Sequence, residues 1–325
     1  MTGREESNQR WERQISNTLT FCPRYMDDFV ESLGRLCSKT KRDYVFTLKE
    51  FLDDLDVKGY DIDNPSMFEE LKPSQIIQFI DNNSKSQAAK CGKYYALRKL
   101  YQFLVGEDYI DKDPTSKIEP PKPSKQKEAI SLTEEEILQM LSNISHPEQV
   151  GTSHLSDRRR FKNRNLCLVK FGLTAGARCS SILEINVEDI DFENGCITVV
   201  QKGDKYHDIY LADEVMNDLR NWIDDRKQIL EVLGVQTNAL FINYAGSRMI
   251  NIYFNDMLKW ATCGIDKHIT SHKLRSTCAT RLYEQTKDIN LTARMLGHSN
   301  VKTTMRYIRV EKSKMKSAAD ILCNF

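Results

Sequence analysis

The stretch Ile118-Glu119-Pro120-Pro121-Lys122-Pro123-Ser124-Lys125-Gln126-Lys127 constrains the fold more than any other segment of this chain. Proline lacks a backbone donor, and its ring clashes with the preceding helical turn. A cluster of prolines therefore excludes helix and favours an extended spacer. Residues 119–130 read as a linker between two separately folded parts, in keeping with the roughly two domains expected of 325 residues.

Before the linker the apolar residues recur at helical spacing. Tyr25, Phe29, Val30, Leu33 and Leu36 define a first helix. Ser38 is placed to cap a second, whose inward face is Tyr44, Leu48, Phe51, Leu52 and Leu55. Pro73 opens a third with Ile76, Ile77 and Ile80. A fourth runs from about Ser86 to Val105, with Leu97, Leu100, Tyr101 and Leu104 inward. Residues 25–118 thus form an all-helical unit, preceded by a polar segment, 1–24, expected to be loose and flexible.

After the linker, Thr133-Glu134-Glu135-Glu136 is a capping box opening a helix through Leu141. A helix around Leu166–Leu173 leads into Ala175-Gly176-Ala177-Arg178. Strand-like runs follow: Ile190–Phe192, an Asn194-Gly195 turn, Cys196–Gln201, a turn at Lys202-Gly203-Asp204-Lys205, and His207–Leu211. From Glu214 onward the pattern is helical again. The fold class is mainly α with a small antiparallel β-sheet, and residues 131–325 form the second domain.

Composition excludes several classes. No run approaches the 18 or so apolar residues of a membrane span, and Met1–Arg13 is too polar for a signal peptide, so no membrane role and a cytoplasmic location are expected. The nine cysteines include no C-x-x-C pair, so neither a disulfide framework nor a metal site is expected. Net charge is only +1, with 18 Lys/Arg against 21 Asp/Glu in residues 1–120 and 29 against 25 beyond. Any surface for a polyanion must then be a local patch.

One ordered set of residues carries chemistry. Arg178 and Lys202 stand 24 positions apart. His272-Lys273-Leu274-Arg275, Leu296-Gly297-His298 and Tyr307 follow within 36 positions of Ser271. Phosphodiester exchange needs an ionisable nucleophile, donors for the charge that builds on the equatorial oxygens, and a proton for the departing oxygen. Arginine's planar fork suits phosphate, and one such fixed donor is worth roughly 3–4 kcal/mol. His272 and Arg275 share a helical face. Lys202 reads either as a plain turn lysine or as a general acid whose pKa, ordinarily about 10.4, neighbouring arginines would lower. His298 reads either as a helix-end packing residue or as a phosphate ligand. Tyr307, in a helix that Ser299 would cap, is ionised in about one molecule in a thousand at neutral pH, so an attacking phenol needs a base such as His272.

Taken together, Ala175-Gly176-Ala177-Arg178, Lys202-Gly203-Asp204-Lys205, His272-Lys273-Leu274-Arg275 and Leu296-Gly297-His298-Ser299 through Thr303-Thr304-Met305-Arg306-Tyr307 resemble the tyrosine recombinase (phage integrase) family over roughly residues 25–320. Ser181 stands where many members carry an acidic residue, and Ser276 where many carry a histidine. The resemblance implies an N-terminal helical core-binding domain and a C-terminal catalytic domain that grip double-stranded DNA with paired half-sites. It implies Tyr307 as nucleophile forming a 3′-phosphotyrosine, Arg178 and Arg275 on the scissile phosphate, Lys202 as acid, His272 as base, and His298 on the phosphate. Because the covalent link conserves the bond energy, neither metal, ATP nor any other cofactor is expected, and no G-x-x-x-x-G-K-[ST] loop is present. The tail Ala318-Ala319-Asp320-Ile321-Leu322 implies docking on a neighbouring protomer, hence a tetramer on DNA, or else packing on its own domain.

Candidate DNA contacts are Lys85, Lys90, Lys93, Arg98 and Lys99 on the helical domain and Lys122 and Lys125 in the linker. Arg158, Arg159, Arg160, Lys162 and Arg164 form the densest basic run. Each group reads equally as solvated surface. Other readings of the whole are a type IB topoisomerase-like or transposon-encoded strand transferase, or a catalytically silent DNA-binding regulator.

Overall fold

The computed structural model describes residues 1–122, 130–201, 205–298 and 300–305. The chain divides into two compact units. One is built on Glu5–Gln126, the other on the residues that follow together with Met1–Arg4.

The regular elements of the first unit are all helical among its described residues: α1 (Gly3–Leu19), α2 (Tyr25–Ser32), α3 (Ser38–Val57), α4 (Pro73–Asn82) and α5 (Gln87–Gly106), with 3-10 turns at Pro65–Glu69 and Pro114–Lys117. Helix α1 replaces the loose segment expected at 1–24. Its interior holds no proline or glycine, and its apolar residues come late: Ile15 is buried and Leu19 packs on the core. Ser86 caps α5 by accepting from the Ala89 N–H at 3.1 Å. Ser38 does not cap α3. Cys37 holds that position, and the Ser38 hydroxyl donates to Glu12 Oε1 at 3.0 Å. Ile77 is turned outward, 42% exposed, because the α4 stripe runs through Ile76, Phe79 and Ile80. The core is aromatic-rich, with Phe51 against Phe79 at 4.7 Å and Phe68 edge-on to Tyr101 at 5.5 Å.

The second unit opens with α6 (Glu134–Ser145), where the capping box forms as the sequence indicates. Thr133 Oγ1 accepts from the Glu136 N–H at 3.3 Å, and Glu136 Oε2 accepts from the Thr133 N–H at 2.8 Å. After α7 (Leu155–Arg160) comes α8 (Lys162–Thr174), the centre of this unit, which packs against four other helices, two before it and two after it. It buries residues on nearly every side, Cys167, Leu168, Val169, Phe171 and Gly172 among them, so it shows no single apolar stripe. A short α9 (Cys179–Leu183) leads to the sheet β1 (Ile190–Asp191), β2 (Cys196–Gln201) and β3 (Lys205–Tyr210), antiparallel in the order β1-β2-β3. At the β1–β2 turn the Asp191 carboxylate accepts from the Glu193 and Asn194 N–H groups, and Gly195 takes φ +62°. Ile197, Val199 and Ile209 face the core, while Thr198 and Asp208 pair on the outer face at 2.8 Å.

Helices α10 (Asp213–Leu233), α11 (Asn251–Ala261), α12 (Ser271–Thr286), α13 (Ile289–Met295) and α14 (Val301–Met305) complete the described part. The run after Glu214 is not wholly helical: Asn186 bridges Ala239 and Ile242 bridges Arg248 in extended pairings. Two buried arginines satisfy carbonyls there. Arg226 donates to Ala239 O, and Arg248 donates to Leu183 O and Ile185 O.

Candidate active site

Helix α12 carries His272 and Arg275, so its placement comes first. Its N-terminal donors meet α11: the Ser271 N–H donates to Asn255 Oδ1 at 2.9 Å, and the Ser271 hydroxyl to Asn251 Oδ1 at 3.0 Å. Gly172 of α8 faces Leu274, where an added Cβ would lie 3.1 Å from the leucine Cδ1. That missing side chain lets α8 and α12 approach closely. Deeper along α12, Thr277 Oγ1 accepts from the Leu132 N–H at 3.0 Å.

Arg275 is 3% exposed. Nη1 donates to Gly176 O at 2.6 Å, while Nη2 donates to Leu296 O at 2.9 Å and to His298 Nε2 at 2.7 Å. Burying a guanidinium is tolerable because these acceptors replace water. Each acceptor is presented by a specific backbone device. After α8 ends at Thr174, Gly176 turns the chain with φ +59°, and a Cβ there would sit 2.6 Å from Leu296 Cδ2 and 3.0 Å from Cys278 Sγ. At the other end α13 closes in a Schellman motif: the His298 N–H donates to Ala293 O, the Gly297 N–H to Arg294 O, and Gly297 takes φ +63°. That motif leaves the Leu296 carbonyl for Arg275 and starts His298 beside it.

The guanidinium only donates, so His298 Nε2 is an acceptor, and a neutral ring then holds its proton on Nδ1. Nδ1 lies 2.8 Å from the hydroxyl of Thr304 on α14, a fully buried side chain. The Asn300 carboxamide opens α14 by accepting from the Lys302 N–H at 2.9 Å.

Arg178 is the N-cap residue of α9, two positions past Gly176, and its side chain is exposed. His272 is exposed one turn before Arg275. Of the six residues singled out in the sequence, Arg275 and His298 are thus in direct contact, Arg178 and His272 flank them along the chain, and Lys202 and Tyr307 lie outside the described residues, as do Ser299 and the tail 318–322. Sequence reasoning missed Thr304 and the two carbonyl acceptors. The carbonyls carry no side-chain signal, and the partnership of Thr304 with His298 depends on α14 folding back. Ser181 is buried, and the Ser276 hydroxyl donates to His272 O at 3.2 Å within α12. Nearby thiols are inert: burial pushes Cys278 up to about 11 against the pull of Arg275 and Arg281, and burial pushes Cys179 up to about 11. Among the described residues no group of three or more His, Cys, Asp or Glu side chains is arranged to hold a metal ion.

The basic candidates divide. Lys93 is not a surface cation: it is buried, ion-paired with Glu50 and 5.2 Å from the Phe79 ring centroid. Arg164 is likewise internal, donating to Ile242 O at 2.7 Å and stacking on Phe161 at 4.2 Å, and its burial depresses the guanidinium pKa. Helical wheels cannot separate such residues from solvated ones, because a long cationic side chain can snorkel to either environment. Lys90 pairs with Asp81 at 2.5 Å, Arg98 donates to Tyr94 Oη at 2.7 Å, and Arg158 lies over Trp260 at 4.7 Å. Arg159 reaches Glu148 at 3.4 Å. Lys85, Lys99, Lys122 and Arg160 are exposed, Lys162 is half-buried, and Lys125 lies outside the described residues.

The catalytic unit matches the model of the phage integrase family over residues 131–314. Among curated relatives, the tyrosine recombinase XerD of Oceanobacillus iheyensis is 28% identical over 261 residues, 79% of this chain and 84% of the relative. The tyrosine recombinase XerC of Caldanaerobacter subterraneus is 30% identical over 276 residues, 82% of this chain and 72% of the relative. Among solved structures, the XerH site-specific recombinase in a post-cleavage complex with its difH substrate shares the fold at a TM-score of 0.65 and 23% identity, covering 97% of this chain and 89% of that one. This chain belongs to the phage integrase family. It is a tyrosine recombinase, an enzyme of DNA strand breakage and rejoining.

Proposed function

We propose that this enzyme recombines double-stranded DNA at paired half-sites, with Tyr307 as nucleophile. The hydroxyl of Tyr307 attacks the scissile phosphate, forming a 3′-phosphotyrosine and releasing a 5′ oxygen. Arg178 and Arg275 hold the phosphate and neutralise charge as it builds, His298 contacts the same group, His272 takes the phenolic proton, and Lys202 protonates the leaving oxygen. Reversal by the 5′ hydroxyl of another strand rejoins the DNA with no input from ATP or metal. The observation that carries this reading is the meeting of Arg275 and His298 at 2.7 Å, from positions 23 apart in the sequence, beside the segment that leads to Arg178. Exposed lysines of the first unit and the linker supply phosphate contacts, so binding weakens steeply with salt. The tail Ala318–Leu322 docks on a neighbouring protomer in a tetramer on DNA, and the enzyme works in the cytoplasm; among the described residues no helix is long and apolar enough to cross a membrane.

The test is a nicked duplex carrying the target site. The wild-type protein forms a covalent adduct and Tyr307→Phe forms none; an undiminished adduct in that variant overturns the assignment. Lys202→Ala slows cleavage of an ordinary substrate and recovers on a 5′-thio leaving group, which needs no acid. No recovery removes Lys202 from that role.

A further inference from the structure

We propose that Thr304 is a positioning residue that lets His298 exchange tautomers when a phosphate enters the site, and so transfers Arg275 from protein acceptors to the phosphate. The inference rests on the reading of Arg275 and His298 as phosphate ligands and adds how they are held ready.

The three groups form a chain: Arg275 Nη2 to His298 Nε2 at 2.7 Å, and His298 Nδ1 to Thr304 Oγ1 at 2.8 Å. Arginine is donor only, which makes Nε2 an acceptor and places the proton of the neutral ring on Nδ1, where the threonine oxygen receives it. In that tautomer Nε2 has nothing to donate to a phosphate oxygen. Donation requires the proton on Nε2, which turns Nδ1 into an acceptor, so the group facing Nδ1 must become a donor. A hydroxyl does this by rotating about its Cβ–Oγ bond; a carbonyl, a carboxylate or an ammonium cannot. Thr304 is fully buried, so its hydroxyl has no solvent alternative to Nδ1 when the ring exchanges.

The protons balance. Water entering with the ligand takes one proton from Nδ1 and supplies one to Nε2, the Thr304 proton stays on its oxygen and turns toward Nδ1, and the ring remains neutral. Nε2–H and Arg275 Nη2–H then face each other as two donors. That repulsion releases the Nη2 hydrogen toward the anion that now lies beside both. Before the anion arrives, Nη2 spends both its hydrogens on Leu296 O and His298.

The experiment is nitrogen NMR of the full chain with labelled histidine, alone and with inorganic phosphate as the probe, for wild type, Thr304→Val and Thr304→Ser. Wild-type His298 shows the proton on Nδ1 alone and on Nε2 with phosphate. Thr304→Ser does the same, while Thr304→Val, with its amide spectrum unchanged, stays in one tautomer throughout. On DNA, adduct formation by Thr304→Val falls about 100-fold, the effect of losing one fixed donor, and Thr304→Ser restores it. An imidazolium or an Nε2–H ring before phosphate is added, no exchange in wild type, or the same exchange in Thr304→Val overturns the proposal. These spectra need no turnover, so their failure refutes the switch alone, whereas an adduct surviving Tyr307→Phe refutes the reading beneath it.

Discussion

Replacing Gly176 by alanine tests whether the backbone around Arg275 is built as described. Two costs add. The residue holds φ +59°, and an L side chain in the left-handed region costs about 1–2 kcal/mol. The new methyl lands 2.6 Å from Leu296 Cδ2 and 3.0 Å from Cys278 Sγ, and both of those side chains are buried. Overpacking of that kind costs about 1–3 kcal/mol. The sum is about 2–5 kcal/mol, which at a urea slope of about 3 kcal/mol/M moves the unfolding midpoint down by about 0.7–1.7 M. The measurement is urea unfolding followed by the fluorescence of Trp222 and Trp260, in a Trp11→Phe background so that only the second unit is seen. Adding Leu296→Ala separates the two costs. It relieves the steric part, giving a favourable coupling of about 1 kcal/mol, and leaves the conformational part in place. A midpoint within about 0.2 M of wild type, or no coupling to Leu296, refutes both the close approach and the strained turn.

Four further outcomes follow from the same structure. Arg275→Lys replaces a fork spanning three acceptors with a point charge; losing about two charge-assisted hydrogen bonds lowers stability by about 3 kcal/mol or more, read as a drop in thermal midpoint, and adduct formation disappears with it. Burial alone would raise the pKa of Glu136, but Lys267 at 2.6 Å and the Thr133 N–H outweigh it, so the folded value lies below the ordinary one. Its contribution is therefore present above the unfolded pKa of about 4.3 and is lost as pH falls through the folded value, and Glu136→Gln shows a stability deficit at neutral pH that closes below about pH 4. Thr133→Ala removes the other half of that capping box and costs about 1 kcal/mol in urea unfolding. Among the described cysteines, thiol titration with a disulfide reagent at mildly alkaline pH labels the exposed Cys37 and Cys263 before Cys278 and Cys179, which burial holds protonated; labelling of Cys278 as fast as Cys263 contradicts the site's packing.

Much of the architecture was legible because it rests on local chemistry. The period of Leu48, Phe51, Leu52 and Leu55 reports a buried helical face whatever it packs on, and Thr133 to Glu136 is a cap complete within four residues. Asn194-Gly195 forces a turn by its own backbone preference. Errors came where local polarity misleads. Helix α1 is mostly hydrophilic and buries only a few residues, Ile15 among them, so its sequence reads as loose. Lys93 and Arg164 are charged yet internal, each held by a partner, Glu50 or the Ile242 carbonyl, that lies far away along the chain.

The candidate site divides in the same way. Its residue types, their order and the family they resemble are properties of the polypeptide alone, since phosphoryl chemistry needs those functional groups wherever the chain puts them. Which groups touch is another matter. Arg275 meets Gly176 O across 99 positions and Leu296 O across 21, and His298 finds Thr304 only once α14 turns back. Backbone carbonyls look alike in every residue, and a hydroxyl's role as donor or acceptor depends on what faces it. Side-chain identity therefore dictated the chemistry available to this protein, and the close packing of α8, α12 and α13 decided which atoms share a proton.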